Sequence, residues 1–298
     1  CPALADAAAF RRFFEHEGYA IVPAALPAAL CAETVDAFLR EVHLATQALF
    51  LRQPPTRYAA HVYTLAGHMQ YPIVNLQDLC APRYPHFRSA ALALLTDATL
   101  QRAVATLLGE PARLGESRFF DADPATAPHR DVPFAAGAAP MVGAWIAAED
   151  VGAATAGRFF VLPRSHWRTV PGEPGAPRAS SRYKAAMADL LAQDGVARVA
   201  PALRQGDLLL WNALTIHGSL PATNAASARR ALTAHYTAAS APLPRGAVRA
   251  LVAGGMPIVQ HADPRSLAGL LRSACPHAYA QLRQLAQWRP WRGHRRQP

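Results

Sequence analysis

Lysine is almost absent from this chain. Lys184 stands alone among 30 basic residues, and the rest are arginines. Cysteine is scarce as well: Cys1, Cys31, Cys80 and Cys275 lie far apart and form no CxxC pair. That spacing argues against a structural zinc site, and free thiols in a reducing compartment are the expectation. No apolar run approaches the roughly 18 residues that a membrane-spanning helix needs, so no membrane contact is expected. A charged-then-apolar leader pattern is also missing after Cys1, and the cytoplasm is the default expectation. Acidic residues are outnumbered, leaving a net charge of +10. A basic balance raises the possibility of nucleic-acid binding. The arginines are scattered, however, except in the terminal "RPWRGHRRQP", and an Arg-for-Lys, Ala-rich bias is how genome composition shows itself. Nucleic acid is therefore not an expected partner, and the basic tail reads as a solvated end.

What is present is apolar: 51% of the residues are hydrophobic and 17% charged, enough for a sizeable core. The chain has no internal repeat and no linker-like stretch, so residues 1–298 are expected to form one domain. The front, 1–110, reads as mostly helical. Phe10, Phe13 and Phe14 share a face before a stop at Gly18, and Leu30, Val35, Phe38, Leu39 and Val42 follow at helical spacing. A third helical region begins near His86 and closes at Gly109. Residues 52–86 read as irregular.

The character changes at about residue 115. "ESRFFDAD", "MVGAWIAAED", "GRFFVLP", "GDLLLWN" and "RRALTAHYT" are strand-sized and bounded by Gly, Pro or Asp. Short strands without βαβ crossovers imply an antiparallel sandwich or jelly roll. The expected class is α+β, mainly β, with a β-core over 115–240 and N-terminal and flanking helices. Residues 164–198 interrupt it with a Pro/Gly-rich loop and a short helix, an insertion of the kind that forms lids. Residues 241–298 read as a C-terminal helical extension and the basic tail.

The polar residues that carry chemistry begin with "APHRDVPF", 127–134. On a strand, His129 and Asp131 would point to one face and offer an imidazole nitrogen and a carboxylate oxygen to one ion. Those are two of the three ligands of a facial triad. His217, 86 residues beyond Asp131, is a candidate third ligand, although a histidine satisfied in the core is the simpler reading of it alone. In "RRALTAHYT", Arg229, Ala231, Thr233 and His235 share a face if the segment is a strand. An arginine aimed into an apolar barrel needs an anionic partner, and a dicarboxylate suits a guanidinium.

The order "HRD" at 129–131, "GAWIAAED" at 143–150, "GRFFVLPRSHW" at 157–167, "GDLLLWN" at 206–212, "HGS" at 217–219 and "RRALTAHY" at 229–236 resembles the phytanoyl-CoA dioxygenase family of Fe(II)/2-oxoglutarate oxygenases. The opening "FRRFFEHEGYAIVPAALP" is similar to that family's first helix and strand, so the resemblance spans roughly residues 8–240. The resemblance implies a double-stranded β-helix core over 115–240, a cupin-like jelly roll, in which His129, Asp131 and His217 bind Fe(II) as the catalytic centre. It implies that Arg229 holds the distal carboxylate of 2-oxoglutarate, with Trp145 lining the cosubstrate pocket or simply filling the core. Thr233, on the Arg229 face, is a further cosubstrate candidate. One residue more than usual separates the second histidine from the arginine, so the choice of Arg229 over Arg230 rests on the following "ALTAHY". O2 would be the oxidant, ascorbate the reductant in vitro, and succinate and CO2 the co-products. Because halogenating relatives lack the carboxylate, Asp131 implies hydroxylation or another C–H oxidation instead.

The substrate is expected to be a small molecule. His68, Gln70 and Tyr71 from the irregular segment, Phe134 after the HRD motif, and Arg164 from the insertion are its candidate contacts. Arg164, Arg168, Arg178 and Arg182 would favour an anionic substrate. Two other classes fit the same residues: a metal-dependent cupin-like isomerase or hydrolase that does not use 2-oxoglutarate, and a non-catalytic ligand-binding protein. Nothing in the sequence specifies an oligomeric state.

Overall fold

The computed structural model describes residues 1–52, 56–122, 125–131, 140–152, 157–170, 181–192, 197–222, 228–243 and 247–261. Helix α1 (Ala7–Glu17) begins at Asp6, whose side chain accepts the Ala9 N–H at 2.9 Å. It ends at Gly18, in the left-handed region at φ 80°, where any side chain would be strained. Phe10 and Phe14 form its buried face; Phe13 packs only partly against the core. There follow β1 (Tyr19–Val22), α2 (Ala28–Phe38) with a π-helical continuation at Leu39–His43, β2 (Leu49–Leu51), β3 (Arg57–Ala59) and β4 (Ile73–Val74). The front is thus less helical than its apolar spacing implies, and the irregular stretch lends short strands to the sheet.

The third helical region is two helices, α3 (Pro85–Leu95) and α4 (Ala98–Leu108), bent by 43° at the break between them. Asp97 causes the break. Its carboxylate accepts the Thr99 N–H at 2.7 Å and caps α4, an alternative to continuing the first helix.

The β-core is β5 (Ala112–Phe120), β6 (Met141–Ala147), β7 (Phe159–Val161), β8 (Leu208–Asn212), β9 (His217–Ser219) and β10 (Ala231–Ala238), with α5 (Ser181–Ala192) inserted between β7 and β8. The main sheet runs β1-β8-β6-β10-β5-β4-β2-β3, antiparallel throughout that path. β7 and β9 pair separately. A large antiparallel sheet with few helices, facing a smaller one, is a cupin-like jelly roll.

Strand parity explains why β6 and β10 are buried along their whole lengths. Alternate residues face opposite ways. Val142, Ala144, Ile146, Leu208, Leu210, Leu232, Ala234 and Tyr236 join the helices' Phe10, Phe38, Phe87 and Leu100 in one core. Trp145, Ala147, Leu209, Trp211 and Ala231 turn the other way and pack on Phe159 and Val161 of the small sheet. A sheet covered on both faces reads as continuous apolar runs, and only the inner face is available for a site.

Two regional expectations change. Residues 247–261, expected in a helical extension, form a hairpin of β11 (Ala247–Ala253) and β12 (Met256–His261). Gly254 and Gly255, at φ 54° and 78°, make its two-residue turn, the geometry that a right-twisted hairpin favours. β12 meets β5 through Ile258 and Leu114, in parallel. The remainder of the expected extension, 262–298, lies outside the described residues, as does Cys275. The insertion is also no free-standing flap where it is described: Tyr183, Met187 and Leu190 of α5 are buried with Phe160, Leu162 and Ile216.

Replacing Asp97 with alanine removes a cap and should cost about 1 kcal/mol. The urea-unfolding midpoint should fall with an unchanged slope; an unaltered midpoint would mean that α3 and α4 do not depend on the cap.

Candidate metal centre

The HRD segment is not a regular strand, which corrects the first expectation. It runs antiparallel beside 213–219 and makes one isolated bridge, His129 with His217. Each of the two donates its N–H to the other's carbonyl at 2.9 Å. The Asp131 N–H donates to the Ala213 carbonyl at 2.9 Å. Two residues on one side therefore span four on the other, a bulged arrangement that still brings the three side chains together. One potential ligand atom from each of His129, Asp131 and His217 lies within 4.8 Å of the others.

Backbone carbonyls set the histidine tautomers. His129 Nδ1 lies 2.8 Å from the Ala127 carbonyl, and His217 Nδ1 lies 2.9 Å from the Thr215 carbonyl. A carbonyl only accepts, so both Nδ1 atoms carry a proton, and Nε2 is the nitrogen of each ring that could meet a metal. The His217 ring sits between Phe159 and Trp211, 5.5 and 4.9 Å between centroids.

Asp131 is 5% exposed. Burial pushes its carboxyl upward, but His235, His217 and His129 outweigh this and hold it well below the usual carboxylate range. It is an anion at neutral pH. Trp211 Nε1 donates to its Oδ2 at 2.8 Å, and His235 Nε2 lies 3.1 Å from the same oxygen. The Trp211 indole occupies the space beside Gly143, its partner on β6, where any Cβ would fall on the ring. Two imidazoles and one carboxylate form the donor set of a non-haem iron site with open positions, and the residues fit such an ion.

The same cavity is lined by Arg52, Arg118, Phe120, Thr126, Trp145, Ser219, Thr233 and His235. Arg118, Thr233 and Trp145 are direct register partners across β5, β10 and β6. Arg229 is 2% exposed, with its guanidinium carbon 5.8 Å from the Trp145 ring centre. Burial draws it down to about 9, still cationic at neutral pH. Arg230 is differently employed: its Nε donates to Asp121 Oδ1 at 2.9 Å and its Nη1 to Glu149 Oε2 at 3.3 Å.

The sequence matches the phytanoyl-CoA dioxygenase (PhyH) family over residues 14–231. The chain belongs to that family. No curated protein matches it. Among solved structures it resembles the epimerase SnoN in complex with Fe3+, alpha ketoglutarate and nogalamycin RO, with TM-score 0.59 and 22% identity over 80% of this chain and 86% of that one. It also resembles the non-heme alpha ketoglutarate dependent carbocyclase SnoK from nogalamycin biosynthesis, at 0.56 and 20%, covering 82% and 88%. EctD from S. alaskensis with 2-oxoglutarate and 5-hydroxyectoine follows at 0.55 and 19%, covering 81% and 79%. At such identities the likeness is one of fold.

Within the PhyH frame, the expected ligands converge, and Trp145 is both core and cavity wall: it stacks on Phe159 at 6.3 Å while lining the cavity. Of the expected substrate residues, the four that are described, His68, Gln70, Tyr71 and Arg164, are not among those lining this cavity. His68 lies 3.8 Å from Asp121, the Gln70 N–H donates to the Val62 carbonyl, and Tyr71 packs against the helical core. Arg164 is exposed, 3.7 Å from Glu17. Arg168 and Arg182 are exposed too, and Phe134 and Arg178 lie outside the described residues. Arg52, Arg118, Ser219, Trp211 and His235 were not anticipated at the site. Parity could have found the last two, since Trp211 alternates with Leu210 and His235 shares a face with Thr233.

Arg130, between the two candidate ligands, turns away from them. Its Nη2 donates to the Ser165 and Arg168 carbonyls at 2.6 Å each, and its N–H donates to the Tyr183 hydroxyl at 3.1 Å. The motif that carries the ligands thereby also anchors the insertion.

Gly143→Ala should displace the Trp211 indole from Asp131. Overpacking of this kind costs about 1–3 kcal/mol, and loss of a carboxylate partner weakens metal binding about 10- to 100-fold. Thermal melting and Mn(II) titration read the two effects; unchanged Mn(II) affinity would mean that Trp211 does not matter to the carboxylate.

Proposed function

We propose that this chain is an Fe(II)- and 2-oxoglutarate-dependent oxygenase that oxidises a C–H bond of a small-molecule substrate, with hydroxylation as the outcome. The observation that supports it most is the joint geometry of one cavity. Two imidazoles with Nε2 left open and an ionised carboxylate stand together, and β10 leads from that cavity towards a buried arginine. Fe(II) held by these residues together with 2-oxoglutarate and O2 would supply the oxidising power, with succinate and CO2 as co-products.

The protein's own part is positioning and shielding. His129, Asp131 and His217 would hold the metal on one side and leave the other side for cosubstrate and O2. Arg229 would pair with the distal carboxylate, recovering through a bidentate contact what burial costs the guanidinium. Thr233 has a buried hydroxyl without a hydrogen-bond partner among the described residues, and a carboxylate oxygen would satisfy it. Trp145 would wall this end, and the aromatic packing of Phe159 and Trp211 keeps water from the ligands. Asp131 occupies the position that must be vacant for a halide, which favours hydroxylation over halogenation. Arg230, committed to Asp121 and Glu149, is not the cosubstrate's arginine.

Purified protein given Fe(II), ascorbate and 2-oxoglutarate in air should release succinate even without its substrate. Asp131→Ala should release no more than the protein-free control, and wild type at that level sinks the oxygenase reading.

Arg229→Ala should raise the Kd for 2-oxoglutarate about 30-fold or more, corresponding to roughly 2 kcal/mol for one partner of a buried charge pair. Arg230→Ala should leave that Kd within about threefold of wild type. The reverse pattern in calorimetric titrations would move the cosubstrate to Arg230.

A further inference from the structure

Three imidazoles surround Asp131, and their hydrogen-bond partners sort them into two kinds. His129 and His217 donate from Nδ1 to carbonyls, which leaves Nε2 as the nitrogen of each that could meet a metal; His217 Nε2 stands 3.5 Å from Asp131 Oδ2. His235 is the opposite case. Its Nε2 faces Asp131 Oδ2 at 3.1 Å, and an ionised carboxylate only accepts. His235 Nε2 therefore carries the proton and is no metal ligand. It also stands outside the group of mutually close ligand atoms that His129, Asp131 and His217 form.

We infer that His235 is a positioning residue for the metal centre: with Trp211 it fixes the orientation of the Asp131 carboxylate, and so sets the affinity of the site for a divalent cation. This rests on the reading of His129, Asp131 and His217 as a metal site. Oδ2 is gripped from two strands. Trp211 reaches it from β8 at 2.8 Å, and His235 from β10. Both donors are rigid rings, 2% and 3% exposed, with centroids 6.1 Å apart and planes at 83°. Their strands do not pair with each other; β6 lies between them, and the one position it presents there is Gly143. His235, Gly143 and Trp211 are thus one row across three strands, with the middle member reduced to hydrogen so that the indole can pass to the carboxylate. Asp131 itself follows an irregular segment rather than a strand. Its χ angles are therefore held by these partners more than by its own backbone. Two donors on one oxygen hold the carboxylate plane before metal arrives, which removes a reorganisation cost from binding.

The test is Mn(II) affinity, with free Mn(II) counted by its electron paramagnetic resonance signal and no turnover required. His235→Phe keeps a ring and deletes the donor, and should raise the Kd about tenfold or more. His235→Gln keeps an N–H within reach of Oδ2 and should return the Kd to within about threefold of wild type. The metal-free melting temperature tells a positioning effect from a folding defect, and should barely move in the Gln variant. His235→Ala replaces His235→Phe if the latter does not fold. If the donor-free variant binds Mn(II) as tightly as wild type, or if Gln fails as badly as Phe, the inference is overturned while the metal site stands. Wild-type protein that binds Mn(II) no better than Asp131→Ala overturns the metal site, and this inference with it.

Discussion

A carboxylate buried without partners is too costly to survive folding, and this molecule buries Asp131 at the centre of its β-core. The surroundings answer that cost from four directions: an indole N–H from β8, an imidazole from β10, and the rings of His129 and His217. Those groups come from segments far apart in the chain. Keeping Asp131 ionised once it is buried therefore depends on the sheet being assembled with these groups turned towards it. Trp211 can reach the carboxylate only because Gly143 leaves the way clear. A metal at this point would compensate the same negative charge, so folding and metal binding draw on one electrostatic arrangement.

The main sheet serves two cores through the alternation of its strands. On β10, Leu232, Ala234 and Tyr236 go to the helices, and the Tyr236 hydroxyl donates to the Leu95 carbonyl at 2.8 Å. Thr233 and His235 go to the cavity. The helical face supplies rigidity and the other face carries the chemistry. A one-residue slip of β10 would exchange the two sets. Register is therefore guarded by apolar contacts on both sides.

The metal motif is also a structural hub. Arg130 holds the turn at Ser165–Trp167 by its carbonyls, and its backbone meets Tyr183 of α5. Arg230 plays the matching part beside Arg229. It ties β10 to Asp121 and Glu149, while Asp121 also accepts the Met69 N–H at 2.8 Å. In both pairs one arginine ties down the frame while its neighbour is buried elsewhere, Asp131 at the cavity and Arg229 beside Trp145.

Much was legible in local pattern. The strand-sized runs and the Gly18 and Gly109 helix ends follow from residue-level rules, period two and left-handed glycine, while the order of the six motifs is read from its resemblance to a known family. The sequence by itself determined the candidate ligand types, a β-rich core and the presence of an acid at 131. It also contained the Gly254–Gly255 hairpin turn and the Asp97 cap, signals of two and one residues that longer helical periodicity overrode. Tertiary structure alone decided which polar residues meet. His68, Tyr71 and Arg164 have suitable chemistry, yet the folded chain places them beside Asp121, against the helical core and beside Glu17. His235 and Trp211 look like core residues in sequence and become partners of Asp131 because sheet register aligns them with Gly143. The physical reason is range. Capping, turns and strand alternation act over a few residues, whereas a binding site is made by contacts between strands whose pairing no local pattern encodes.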